Sequence, residues 1–97
     1  MIYAEFEEYP HLIELVQFLR ERFSQVDYGS QCDDWIWITD QQMKVSIDNF
    51  TSHGLQIKAP VGSKTLLTTI LEAVGNRYDL RLMDPPEWEG HESEDPE

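Results

Sequence analysis

The sequence has one cysteine and no long apolar run, and each shortage excludes a class of protein. Because Cys32 is the only cysteine, no disulfide can form within the chain. No apolar segment approaches the roughly 20 residues that a membrane-spanning helix needs. The first eight residues contain three glutamates and no basic residue, where a secretory signal would be basic and then apolar. We therefore expect a cytoplasmic protein.

Positive charge is also scarce. Seven Lys and Arg residues stand against 19 Asp and Glu residues, which gives a net charge of −12. Such a field repels phosphate groups, so we expect no direct binding to nucleic acid and no binding to a membrane. It favours a basic partner or simply solubility. A mimic of nucleic acid that binds a basic protein is a weaker alternative, because it depends on charge alone.

The acidic residues are concentrated at the end of the chain. The last 14 residues contain seven acidic side chains, three prolines and no Lys or Arg. Such a segment cannot bury enough apolar surface to offset the entropy lost on ordering. The remaining length suits one domain with its own core. We predict a single α+β domain over residues 1–83 and a disordered acidic tail over residues 84–97.

Two segments have the apolar spacing of amphipathic helices. In residues 10–23 apolar side chains recur every three or four positions, and Pro10 suits a first helical turn. Phe18 falls outside this stripe. Residues 64–74 form the second helix, with Ser63 as the predicted N-cap. The predicted buried stripes are Leu12, Leu15, Val16, Leu19 and Phe23 in the first helix, and Leu66, Leu67, Ile70, Leu71 and Val74 in the second.

The other patterned segments are typical of strands. Alternating or β-branched residues predict strands over 25–30, 33–39, 43–48, 55–59 and 78–82, and a further one over 2–6. Short turns between the middle strands predict antiparallel pairing. The element order (β)-α-β-β-β-β-α-β therefore predicts a two-layer α+β sandwich. Its mainly antiparallel sheet has four to six strands, with both helices on one face.

Trp35 and Trp37 alternate with Ile36 and Ile38 in the predicted central strand. If the turn that follows has an odd number of residues, the tryptophans enter the core, where large aromatic side chains usually lie. If it has an even number, they stand on the helix-free face beside Lys44 and form a binding platform. The sequence leaves both orientations open.

The motifs that would indicate catalysis fail on spacing. Residues 62–65 read Gly-Ser-Lys-Thr before a helix, but a phosphate-binding loop needs the lysine directly after its second glycine. The three histidines lie in three different segments without metal-ligand spacing, so we expect no metal site and no cofactor. Cys32 and His53 form a nucleophile and base only if the fold brings them together.

We therefore expect a non-enzymatic module for protein interaction or regulation, acting through a protein partner or through self-association. Trp88 lies within the acidic tail, and an aromatic side chain in such a segment can dock into an apolar pocket of a partner. The predicted interaction surface comprises Trp35, Trp37, Lys44, Phe18 and Trp88. The alternative is a small-ligand-binding protein or minor enzyme with a site near Asp33, Asp34 and His53.

Overall fold

The computed structural model describes residues 1–88, which form two helices packed on one six-stranded antiparallel sheet. Along the chain the elements are β1 (Ile2–Phe6), α1 (Leu12–Arg20), β2 (Val26–Ser30), β3 (Asp34–Asp40), β4 (Met43–Asp48), β5 (Gln56–Lys58), α2 (Lys64–Gly75) and β6 (Leu80–Glu87). The predicted α+β fold and its element order are confirmed.

The strand order in the sheet is β2-β3-β4-β5-β1-β6. Strands β2 to β5 are neighbours in both sequence and space, and β1 lies between β5 and β6. The two edge strands are therefore β2 and β6.

The core lies between the helices and one face of the sheet. Ile36, Ile38, Val45 and Ile47 point to this face and are fully buried. Helix α1 lies against β2 and α2 lies against β4. Within the predicted helical stripes, the buried side chains are Leu15, Val16, Leu19, Leu66, Leu67, Ile70 and Val74, while Leu12, Phe23 and Leu71 are half-buried.

Helix α1 is shorter than the predicted 10–23. His11 has an extended backbone, so the helix begins at Leu12. Beyond Arg20, the N–H groups of Arg22 and Phe23 both donate to the Leu19 carbonyl, which turns the chain toward β2. Within residues 1–88, no helix has both the length and the apolar character needed to cross a membrane.

Ser63 precedes α2 as predicted, but its hydroxyl does not cap the helix. Instead, the Ser63 Oγ accepts a hydrogen bond of 3.0 Å from the backbone N–H of Lys44. The buried serine therefore ties the start of α2 to the start of β4.

Strand β6 continues past the predicted domain boundary at residue 83. It runs to Glu87, whose Cα partner in β1 is Ile2. Met83 is buried, and Asp84 to Glu87 continue the strand. Residues 84–87, which we placed in the tail, therefore belong to β6, and residues 89–97 of the predicted tail lie outside the described part of the chain.

Candidate functional site

The turn between β3 and β4 decides which face the tryptophans occupy. Asp40 pairs with Met43, so the turn consists of two residues, Gln41 and Gln42. Both have positive φ angles, 50° and 72°, as a tight two-residue hairpin of this type requires. This even loop places Ile36 and Ile38 in the core and both tryptophans on the helix-free face, so the buried orientation is wrong.

Trp35, Trp37 and Lys44 form one cluster, which we call the tryptophan patch. The two indole rings have centroids 4.5 Å apart at an angle of 38°. The Nζ atom of Lys44 lies 3.8 Å from the centroid of the Trp37 ring, a cation–π contact. Trp37 remains 37% exposed, and Trp35 is half-buried. The tryptophan patch therefore combines two adjacent indole rings with the positive charge of Lys44.

Gly29 on β2 makes room for Trp35. The two residues are Cα partners, and the indole lies directly over the glycine. A Cβ atom at this position would lie 2.5 Å from the Trp35 ring, closer than van der Waals contact allows. The glycine therefore lets the tryptophan patch extend to the outer edge of the sheet.

The outer edge of β2 is open along the described part of the chain, since β2 pairs with β3 alone there. The Thr39 N–H donates to the Gln25 carbonyl, so by alternation the backbone groups of Val26, Tyr28 and Ser30 point away from β3. The Val26 carbonyl accepts from the Arg20 guanidinium at 3.0 Å, which agrees with this direction. The Tyr28 N–H and carbonyl lie further along the same edge.

The opposite edge of the sheet has a different character. Strand β6 contains Pro85 and Pro86, which have no N–H group to offer a further strand. Proline on an edge strand is a common protection against unwanted pairing. Of the two edges, β2 is therefore the one suited to accept an added strand.

Part of the helix-free face is covered by the 49–54 loop. Beneath it the Lys58 Nζ lies 2.6 Å from Asp48 Oδ1, and the two side chains are only 4% and 5% exposed. Lys58 also donates to Thr51 Oγ1 at 3.3 Å, and the Phe50 N–H donates to Asp48 Oδ1 at 3.2 Å. This buried ion pair anchors the loop and separates the tryptophan patch from the β1 side of the sheet.

A polar network continues from the loop toward β6. Gln56 Nε2 donates to Glu5 Oε1 at 3.2 Å, and the Arg81 guanidinium binds the same oxygen at 3.2 Å. Gly54 lies so close to Glu5 that a Cβ atom there would collide with the carboxylate. The exposed large apolar side chains on this face are Trp37 on β3 and Phe50 on the covering loop.

The predicted ligand site near Asp33, Asp34 and His53 is only partly assembled. Asp33 and His53 line one polar cleft of about 560 Å³, together with the 49–52 segment. Asp34 is engaged elsewhere, because its carboxylate accepts hydrogen bonds from Tyr9 Oη and Ser30 Oγ, both at 2.6 Å. Cys32 is exposed and does not line this cleft, so the structure does not place its thiol in the cleft beside His53.

Tyr9 is held in its neutral form by its surroundings. Loss of hydration raises the pKa of this phenol well above its usual range, and the hydrogen bond to Asp34 with the nearby Asp34 and Asp33 charges raises it further. Asn49 links the cluster: its Nδ2 donates to Tyr9 Oη at 3.2 Å, and its Oδ1 accepts from the Asp34 N–H at 3.0 Å. Tyr9 therefore acts as a hydrogen-bonding brace across 25 residues of sequence. Among residues 1–88, no group of three or more His, Cys, Asp or Glu side chains is placed to hold a metal ion.

The remaining two predicted surface residues lie away from the tryptophan patch. Phe18, on the helix layer, is half-buried and packs edge-on against Tyr78, with the Arg22 guanidinium 3.8 Å from its ring centroid. Trp88 follows β6 at the far edge of the sheet and is 61% exposed. The structure thus brings together Trp35, Trp37 and Lys44 and leaves the other two on separate surfaces.

Sequence reasoning missed several residues that shape this face. Lys58 and Asp48 each occupy the polar position of an alternating strand, which normally indicates exposure, and the covering loop gives no periodic signal. Gly29 lies within the predicted strand over 25–30, and nothing in the sequence indicates that it faces Trp35. No family model matches this sequence, and neither the curated proteins nor the solved structures contain a significant match.

Proposed function

We propose that this protein is a non-enzymatic interaction module that binds an extended segment of a partner protein along β2. The observation that carries the proposal is the position of the tryptophan patch, on the helix-free face and next to an edge strand without proline. In strand addition, backbone hydrogen bonds supply affinity and pockets for alternate side chains supply specificity.

The two halves of the surface have complementary roles. The outward N–H and carbonyl groups of Tyr28 and Ser30 would pair with the partner's backbone. Every second side chain of the added strand would then lie beside Trp35, whose ring covers Gly29 at the edge. Large aromatic side chains are enriched among residues that dominate binding energy, so the indoles are the expected anchors.

Charge determines which partners suit this surface. The chain carries −12 overall, and Asp27 lies on the same face as its Cα partner Trp37. A partner segment with basic side chains flanking an apolar one is therefore favoured over an acidic one.

The test is a pull-down with the full chain from a cell lysate, comparing Trp37→Ala with Trp88→Ala as a matched control. Both changes remove an exposed indole, and the two residues lie in different parts of the sheet. We expect Trp37→Ala to capture at least tenfold less of the partner than the wild type, and Trp88→Ala to capture the same amount. Equal retention by both variants, or loss by Trp88→Ala alone, would contradict the proposal.

Salt distinguishes this function from the acidic-mimic alternative. A partner held by the indoles should remain bound when the ionic strength is raised to 0.5 M, because apolar contacts are not screened. A basic partner that is released by salt and is insensitive to Trp37→Ala would support the mimic of nucleic acid instead.

A second candidate function is the binding of a small polar ligand between Asp33 and His53. The observation that favours it is their shared cleft. Screening small cations and polar metabolites by NMR should then shift the His53 imidazole signals, and Asp33→Asn should abolish the shift. Shifts that are unaffected by Asp33→Asn would argue against this site.

A further inference from the structure

An apolar groove runs along α2 on the helix-bearing side of the molecule, opposite the tryptophan patch. Its two adjoining parts have volumes of about 460 and 430 Å³ and share Thr68 and Leu71. One part extends to Leu80 and Leu82 on β6, and the other extends to Tyr3 on β1. We call this depression the α2 groove.

The groove exists because six strands are covered by only two helices. Leu82 is the Cα partner of the fully buried Ala4, so it faces the helix layer, yet it is 62% exposed. Helix α2 packs on β4 and leaves the Leu82 side chain on β6 largely uncovered. At the other end of the groove Val61 is 90% exposed. The groove therefore exposes an apolar side chain at each end, with the half-buried Leu71 between them.

The charges around the groove are arranged by sign along α2. Glu72 and Asp79 line the end near the C-terminus of α2, and Lys64 lines the end near its N-terminus. The last turn of α2 has no basic residue and the first turn has no acidic one, so neither end of the helix dipole is compensated by its own side chains. The cation that follows α2, Arg77, lies over Phe18 and Tyr78 and does not line the groove.

We propose that the α2 groove binds an amphipathic helix of a partner protein, antiparallel to α2. Its apolar stripe would pack on Leu71 and Leu82, in the helix-in-groove manner. Basic side chains in its N-terminal half would face Glu72 and Asp79, and an acidic side chain near its C-terminus would face Lys64. The antiparallel direction also places its positive dipole end beside the negative end of α2. This site is independent of the proposed strand addition at β2.

The probe is a capped synthetic peptide of 14 residues, about 21 Å long as a helix. It has a leucine stripe, two lysines in its first turns and one glutamate in its last turn. The control peptide has the same stripe with the lysine and glutamate positions exchanged end for end. Binding to the full chain is measured by fluorescence anisotropy, and the site is mapped by amide chemical shifts.

We expect the lysine-first peptide to bind at least tenfold more tightly than the control, with shifts at Leu71 and Leu82. Leu82→Glu should weaken binding at least tenfold, and so should Val61→Glu, which lies in a loop and leaves the sheet intact. The matched control Ile13→Glu, on the exposed side of α1, should leave binding unchanged. The double change Glu72→Lys and Asp79→Lys should reverse the preference between the peptides.

Three results would overturn the proposal. The first is equal binding of both peptides, or no binding at millimolar concentration. The second is sedimentation showing a dimer that Leu82→Glu dissociates, because the groove would then hold a second copy of the chain. The third is a nuclear Overhauser contact between residues 89–97 and Leu82 in the free protein, because the chain would then fill its own groove.

Discussion

The buried ion pair between Lys58 and Asp48 offers the sharpest test of how the helix-free face is held together. The perturbation is Lys58→Met, which keeps most of the length of the side chain and removes its charge. It leaves the Asp48 carboxylate 5% exposed, with the Phe50 N–H as its remaining hydrogen-bond donor among residues 1–88. Breaking a buried pair by removing one partner usually costs about 3–5 kcal/mol, since an uncompensated charge stays buried.

A second change should recover most of this loss. Asp48→Asn removes the remaining charge, and its amide oxygen can still accept from the Phe50 N–H. Buried pairs replaced by neutral side chains of similar volume are often close to neutral in stability. We therefore expect the free energy of unfolding of the double variant to lie within about 2 kcal/mol of the wild-type value. It should be well above the value for Lys58→Met alone.

The assay is urea unfolding at pH 7, followed by far-UV circular dichroism. The matched control is Glu21→Gln, which removes one partner of the solvent-exposed pair with Arg22 at 3.5 Å. Surface pairs contribute at most about 1 kcal/mol, so this change should leave the unfolding midpoint nearly unchanged. The reasoning would be refuted if Lys58→Met cost less than about 1 kcal/mol, or if the double variant cost the sum of both single changes.

Three further predictions concern backbone strain and packing. Gln42→Gly should raise the free energy of unfolding by about 1 kcal/mol, because its φ of 72° suits glycine, and a lowered melting temperature would contradict this. Tyr78→Phe should be neutral or stabilising in thermal unfolding, because the buried Tyr78 hydroxyl has no hydrogen-bond partner among the described residues. A loss of stability above about 1 kcal/mol would show that this hydroxyl does have a partner. Gly29→Ala should destabilise the protein by about 1–3 kcal/mol and shift the fluorescence emission of Trp35. The control Gly75→Ala should do neither, because its Cβ atom would lie 3.9 Å from the nearest side chain. Equal effects of the two changes in urea unfolding would exclude the close approach of Trp35 to Gly29.

The apolar pattern was sufficient to predict the layers of the fold. The stripes in α1 and α2 and the alternation in β4 reflect burial of one face, which is a local property of sequence. The face of Trp35 and Trp37 could not be predicted, because it depends on whether the turn has two residues or three. Glutamine at both turn positions gives no signal for a hairpin that normally uses asparagine and glycine.

The interactions that shape the helix-free face arise from contacts distant in sequence. Tyr9 reaches Asp34, and Lys58 is buried only because the 49–54 loop folds over it. Neither contact leaves a periodic pattern. The predicted boundary at residue 83 missed the last residues of β6 because Pro85 and Pro86 resemble a disordered segment, yet an edge strand tolerates proline.

Hydrogen exchange of the β2 amides tests the central proposal most directly. The full chain is measured alone and with a partner that is captured by the wild type but not by Trp37→Ala. Strand addition predicts that the outward amides of Tyr28 and Ser30 exchange at least tenfold more slowly in the complex, while that of Arg81 on β6 is unchanged. Unchanged exchange at Tyr28 and Ser30 in a saturated complex would contradict binding along β2.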